Sequence, residues 1–282
     1  MFELKFDKTY DHYMFYKYDV TEPVAEDYYR IDDGIFCIAD GVTKDLTDGT
    51  PALYPENLEE LKLMAKYPNP SGNYEVSKIC CDKFVEYVKE CNKEEITKER
   101  ILDIAKKVNG DMCKINDNRY INYLSEDVHS AQAAGGIIVD NFLYCFSLGD
   151  TQITLLDENF NIVFDTPANE KFLNYENEHL KSLNFNWDYP EYRYMIRRFF
   201  RNNPSLKHNG EDITYGALGE KEAEYYINTF KLDLSNVKYI CTYSDGVRPF
   251  FGTKEENERL IGNPEGIKES GNEKTLIIYE KV

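Results

Sequence analysis

Three segments of the chain deliver an aspartate at the end of an apolar run, each beside a glycine. Residues 35–39 run into Asp40-Gly41, 142–148 into Gly149-Asp150, and 239–244 into Asp245-Gly246. If each run is a buried strand, its end holds a rigid, partly desolvated carboxylate. Several such groups converging would repel one another strongly. A divalent cation resolves that repulsion, and oxygen donors suit Mg²⁺, Mn²⁺ or Ca²⁺. The neighbouring glycines let backbone and ion approach closely. Asp-Gly alone marks a tight turn. Asp32-Asp33-Gly34 and Asp48-Gly49 read that way. Three copies after apolar runs, in separate parts of the chain, ask for more than turns.

Those carboxylates need strands to carry them. Alternation and turn chemistry predict strands at 2–6, a hairpin over 27–39 with Asp-Gly at its tip, and a run of antiparallel strands at 133–139, 142–148, 152–156 and 162–164. Further strands fall at 237–243 and 275–280. Apolar residues at helical spacing predict helices over 73–91 and 97–116. A short helix at 56–67, a basic helix near 190–201 and a helix over 220–230 complete the set. Residues 43–72 read as loop and 165–215 as irregular, aromatic and polar. Helices are not interleaved one by one with strands, which disfavours a parallel doubly wound sheet. Packed antiparallel sheets with helices outside fit better. No linker or repeat divides the 282 residues, which read as one domain, 1–282.

Composition narrows the chemistry. The net charge of −18 repels phosphate backbones, so neither nucleic acid nor an anionic membrane is an expected partner. Seven cysteines without a CxxC, mostly inside apolar runs, predict reduced thiols and a cytoplasmic location. The N-terminus does not read as a signal peptide, and no apolar run is long enough to span a bilayer.

The motifs, taken in order, resemble the metal-dependent protein serine/threonine phosphatases of type 2C, in a bacterial-like form. The resemblance rests on Glu26-Asp27, Ala39-Asp40-Gly41-Val42, Gly135-Gly136, Gly149-Asp150-Thr151-Gln152, Ser244-Asp245-Gly246 and the closing Lys274-Thr275-Leu276-Ile277-Ile278, with a helix carrying Asn109 in the expected place. It spans about residues 20–282. It implies an α+β fold, an αββα sandwich of two antiparallel sheets flanked by helices, with a variable flap region at about 165–215. It also implies two Mg²⁺ or Mn²⁺ ions and a third, weaker one. Asp40 would bridge the first two, the Gly41 carbonyl and Glu26 would complete one, and Asp245 would hold the other. Asp27 would support them from behind, and Asp150 with Asp245 would hold the third. The implied reaction is attack of a metal-activated water on phosphoserine or phosphothreonine of a protein substrate.

The sequence departs from that pattern in three places. Asn272 stands where the family has an aspartate ligand, with Glu273 adjacent as a substitute. Glu22 stands where the family has a phosphate-binding arginine, and Val42 where many members have histidine. None of His12, His129, His179 and His208 is assigned a role. Arg193, Arg197 and Arg201 fall at i, i+4 and i+8, beside Arg198. They form either a salt-bridging helix face or a phosphate-binding stripe, for which Arg197 and Arg198 are the candidates. The departures keep a second reading open: a catalytically weak or inactive phosphatase-like module that binds or regulates.

Overall fold

The structure is a computed structural model and describes residues 1–18, 25–42, 57–64, 70–124, 126–180, 190–269 and 273–282. Glu22, Asp48-Gly49 and Asn272 lie outside the described residues, as does most of the 43–72 loop.

The chain begins with β1 (Phe2–Tyr10), the short helix α1 (Tyr13–Tyr18), and the hairpin of β2 (Tyr28–Asp32) and β3 (Ile35–Gly41). The hairpin turn is the expected Asp33-Gly34, both at positive φ of 45° and 78°. Helices α2 (Leu58–Met64), α3 (Gly72–Lys89) and α4 (Lys98–Asn116) follow. Ser71 and Thr97 cap α3 and α4, accepting from Tyr74 N and Arg100 N, both at 3.1 Å. Next come β4 (Ala131–Val139), β5 (Phe142–Leu148), β6 (Gln152–Leu156) and β7 (Ile162–Asp165). Helices α5 (Glu170–Tyr175) and α6 (Pro190–Met195) each run on into a wide π turn, and β8 (Lys207–His208) and β9 (Glu211–Asp212) make a small hairpin. The last elements are β10 (Asn228–Asp233), β11 (Tyr239–Tyr243), α7 (Lys254–Gly262) and β12 (Lys274–Lys281).

The main strands form two five-stranded antiparallel sheets, ordered β1-β12-β11-β6-β7 and β10-β5-β4-β3-β2. Alternation along β3 shows how the layers are filled. Phe36 and Ile38 face Ile153, Ile240 and Ile277 of the opposite sheet, while Cys37 and Ala39 face Phe84 and Val108 of α3 and α4. On the far side, Leu276 and Ile278 of β12 pack against Leu260 and Ile261 of α7. The architecture is thus the expected α+β sandwich, helices on both outer faces of two antiparallel sheets. The 165–215 region carries a small core of its own, built from Phe172, Leu180, Tyr192, Ile196, Phe200, Ile213 and Tyr215.

One expected helix is corrected. Residues 220–230 divide into a 3₁₀ turn (Lys221–Tyr226) and the start of β10. Strand pairing decides this: β10 registers against β5 from Asn228↔Ser147 to Asp233↔Phe142. Sheet pairing and half-burial outweigh local helix propensity there. Helix α7 has no counterpart in the sequence reading. Its signal was present, since Thr253 and Glu256 form a capping box.

Candidate metal centre

The strand ends meet at one edge of the sandwich. Asp40 continues the inward-facing series of Phe36 and Ile38, so its carboxylate lies between the sheets at the open end of β3. Its register partner on β4 is Gln132. Gln132 Oε1 accepts from Asp150 N at 2.6 Å and from Asn169 Nδ2 at 3.0 Å, which fixes the β5–β6 turn beside β3. Gly149 makes that possible: it sits at φ +86°, and a Cβ there would collide with the Gln132 amide. Asp150 Oδ1 is buried and has no hydrogen-bond partner among the described residues.

Asp245 follows β11 and opens the 3₁₀ turn Asp245–Phe250. Gly246 passes so close to the Glu273 carbonyl that no side chain fits, and this brings Asp245 against the start of β12. Ser244 ties the same junction. Its Oγ donates to Asp27 Oδ2 at 2.7 Å and accepts from Thr275 N at 2.9 Å. Asp27 N donates to Glu273 Oε1. Ser71 Oγ donates to Glu26 Oε1, and Asn73 Nδ2 to the Val42 carbonyl. Gly41 is packed so that a Cβ would lie 2.8 Å from the Glu26 carbonyl.

The structure therefore gathers Glu26, Asp27, Asp40, Asp150, Asp245 and Glu273. Their electrostatics record the crowding. Burial, then the charges of Asp27, Asp245, Asp150 and Glu273, push the Asp40 carboxyl far above the usual carboxylate range. Burial with Asp27 and Glu26 does the same to Glu273. Burial pushes Glu26 up to about 7, Ser71 and Asn73 opposing it, and burial with Asp245 pushes Asp150 up to about 7. Asp27 rises to about 6, chiefly by burial, against the donation from Ser244. Asp245 is also raised, by the dense protein around its carboxyl. By accessible area, however, it is the exposed member of the set. Asp245 is thus the solvent-facing carboxylate of the cluster.

The donor set consists of hard oxygens, and an orphaned carboxylate oxygen lies among them. Chemically it fits Mg²⁺ or Mn²⁺. Among the described residues, no three His, Cys, Asp or Glu side chains already surround a single point as ligands. Ser71, Ser244 and the Asp27 amide each donate to one carboxylate of the set, on Glu26, Asp27 and Glu273 in turn.

Of the two candidate arginines, Arg197 places its charge within reach of Glu26. Arg197 is buried, its Nε 3.2 Å from Asp127 Oδ2, while Arg201 pairs with the same carboxylate at 2.6 Å. Arg197 and Arg201 thus form a buried salt-bridging face. Arg198 is exposed, its guanidinium 5.3 Å from the Tyr123 ring centre. Gln132, Ser71, Ser244 and Arg248 were not assigned roles from the sequence. Only Ser244 carried a signal there, as the residue before Asp245.

No protein-family model and no curated protein sequence matches this chain. Solved structures do. The S. agalactiae serine/threonine phosphatase superposes with a TM-score of 0.58 at 10% identity, covering 100% of both chains. Stp1 of Staphylococcus aureus gives 0.57 at 12%, covering 100% of this chain and 96% of that one. The catalytic domain of the phosphatase PstP, solved with two manganese ions, gives 0.54 at 9%, covering 99% of each. The chain has the fold of the bacterial serine/threonine phosphatases.

Proposed function

We propose that this chain is a metal-dependent protein serine/threonine phosphatase that hydrolyses phosphoserine and phosphothreonine side chains. The observation that carries this reading is the convergence of Asp40, Asp150, Asp245 and Glu273 at one sheet edge, with a buried, unpartnered oxygen on Asp150. The shared fold, and the two manganese ions in the PstP structure, support it.

In this reading Asp40 would be a shared ligand of two Mg²⁺ or Mn²⁺ ions. Glu26 and the Gly41 carbonyl would complete one, Asp245 would hold the other, and Asp150 with Asp245 would take a third. Asn272, or Glu273 next to it, would complete the ligand set. When bound, the ions supply an acidified water and neutralise charge on the phosphoryl group. The protein's own part is orientation. Ser71 aims Glu26, Ser244 holds Asp27 behind Asp40, and Gln132 fixes the turn that presents Asp150. The substrate is a phosphorylated protein. Seven free cysteines, five of them buried, favour a cytoplasmic setting.

Hydrolysis of nitrophenyl phosphate and of a phosphothreonine peptide with Mn²⁺ tests the reading, with Asp40→Asn as control. Turnover should require Mn²⁺ and vanish in the variant, and turnover that survives Asp40→Asn sinks the proposal. The second reading, a binding or regulatory module with weak or no turnover, rests on Asn272 and Glu22, which stand where the family pattern has an aspartate ligand and a phosphate-binding arginine. Mn²⁺ binding without hydrolysis of either substrate would select it.

A further inference from the structure

A phosphomonoester entering this site meets a field of carboxylates, so productive binding needs a cation that is not already committed. Arg197 and Arg201 are spent on Asp127, Arg30 on Asp82, and Arg119 on Glu126. Arg248 is placed differently. It is the fourth residue of the 3₁₀ turn that Asp245 opens. Side chains at i and i+3 eclipse in such a turn, so Arg248 lies on the Asp245 face. Its charge acts on Asp150, Asp245 and Asp165. It is half-buried, and it forms no ion pair among the described residues.

The base of the turn is rigid. Phe251 N donates to the Arg248 carbonyl at 3.1 Å, Pro249 fixes the backbone after it, and Phe251 stacks on Tyr243 with ring centres 4.5 Å apart. A guanidinium on a fixed turn at the rim of a carboxylate cluster suits a planar, two-oxygen partner.

We propose that Arg248 is the substrate-binding residue for the phosphate group, taking two non-bridging oxygens of the phosphomonoester dianion beside Asp245 and Asp150. This rests on the phosphatase reading above. It also assigns the phosphate contact to a residue two positions after the Ser244-Asp245-Gly246 segment, in place of the arginine that the family pattern has at position 22.

The test uses the full chain loaded with Mn²⁺, and compares wild type with Arg248→Gln and Arg248→Lys. Nitrophenyl phosphate kinetics give KM and kcat, inorganic phosphate gives an inhibition constant, and calorimetry gives Mn²⁺ affinity. In Arg248→Gln, KM and the phosphate inhibition constant should rise about ten- to hundredfold, the loss of a charge-assisted bidentate contact. Arg248→Lys should recover part of that loss. Mn²⁺ affinity should hold or tighten, because a neighbouring positive charge is removed. An unchanged phosphate inhibition constant in Arg248→Gln overturns the proposal, as does a loss of Mn²⁺ binding, which would make the residue a support of the metal centre. A wild type that neither binds Mn²⁺ nor hydrolyses the ester defeats the phosphatase reading itself, and this inference with it.

Discussion

Arg201 grips both oxygens of Asp127, at 2.6 and 3.1 Å, with its side chain wholly out of solvent. Arg197 reaches the same carboxylate from one turn earlier. A buried pair adds little net stability over an apolar equivalent, but removing one partner strands a charge and costs about 3–5 kcal/mol. Asp127→Asn should therefore lower the unfolding free energy by about that amount, read from the urea midpoint. The acid limb should change too. Burial raises the Asp127 carboxyl, but Arg201 and Arg197 outweigh burial, and the net shift is downward. A depressed carboxylate contributes stability above its unfolded pKa and loses it as pH falls through the folded value. Wild type should thus lose stability toward acid more steeply than Asp127→Asn.

The metal centre has the opposite sign. Glu26 and Asp150 rise to about 7 and Asp27 to about 6. For an acid raised on folding, the folded state holds the proton longer, so stability falls as pH climbs from the unfolded value through the folded one. Protein stripped with EDTA should therefore melt at lower temperature at pH 8 than at pH 5. Saturating Mn²⁺ should reverse that trend, stabilising most at the higher pH. A chelated protein whose melting temperature is level between those pH values would contradict the shifts.

The two sheets were legible because the strands are long, apolar and closed by Asp-Gly or Asn-bearing turns; the β3 and β5 runs needed no tertiary context. Strand β10 was not, since Lys221, Glu222, Ala223 and Glu224 precede it with helical composition and only pairing with β5 decides the matter. At the site, Asp40 and Asp245 announced themselves through position. Gln132 did not, because a lone glutamine on a strand is ordinary until Gly149 and Asp150 fold onto it. The arginine stripe was visible as spacing, but its orientation was not. Asp127, which takes its charge, lies seventy residues earlier and carries no motif.

Gly149 gives a sharp local test. Alanine there meets two obstacles, a positive φ of 86° and the Gln132 amide. Strain of this kind costs about 1–3 kcal/mol. Relieving it must move Gln132 off the Asp150 amide. Gly149→Ala should therefore be less stable by about that amount and bind Mn²⁺ more weakly. Gly210, also at positive φ but in open space, supplies the comparison: Gly210→Ala should destabilise while leaving Mn²⁺ affinity unchanged. Calorimetric titration of the two variants separates backbone strain from displacement of Asp150.

Asp40 should behave as a residue held at a cost to the fold. Its carboxyl is pushed up first by burial and then by four acidic neighbours, so ionising it in the metal-free protein is unfavourable. Asparagine keeps the shape and removes the charge. Metal-free Asp40→Asn should therefore be more stable than wild type at pH 8, with the gain shrinking as pH falls, because the raised carboxyl costs the fold less as it takes up its proton. The same change should remove the response to metal. A ligand at a hundred times its dissociation constant stabilises by about 2.7 kcal/mol, and wild type should show a gain of that order with Mn²⁺ while Asp40→Asn shows almost none. Differential scanning calorimetry with and without Mn²⁺, at both pH values, measures all four states. A variant less stable than wild type without metal would mean that Asp40 is a structural residue, and would remove the electrostatic basis for placing an ion there.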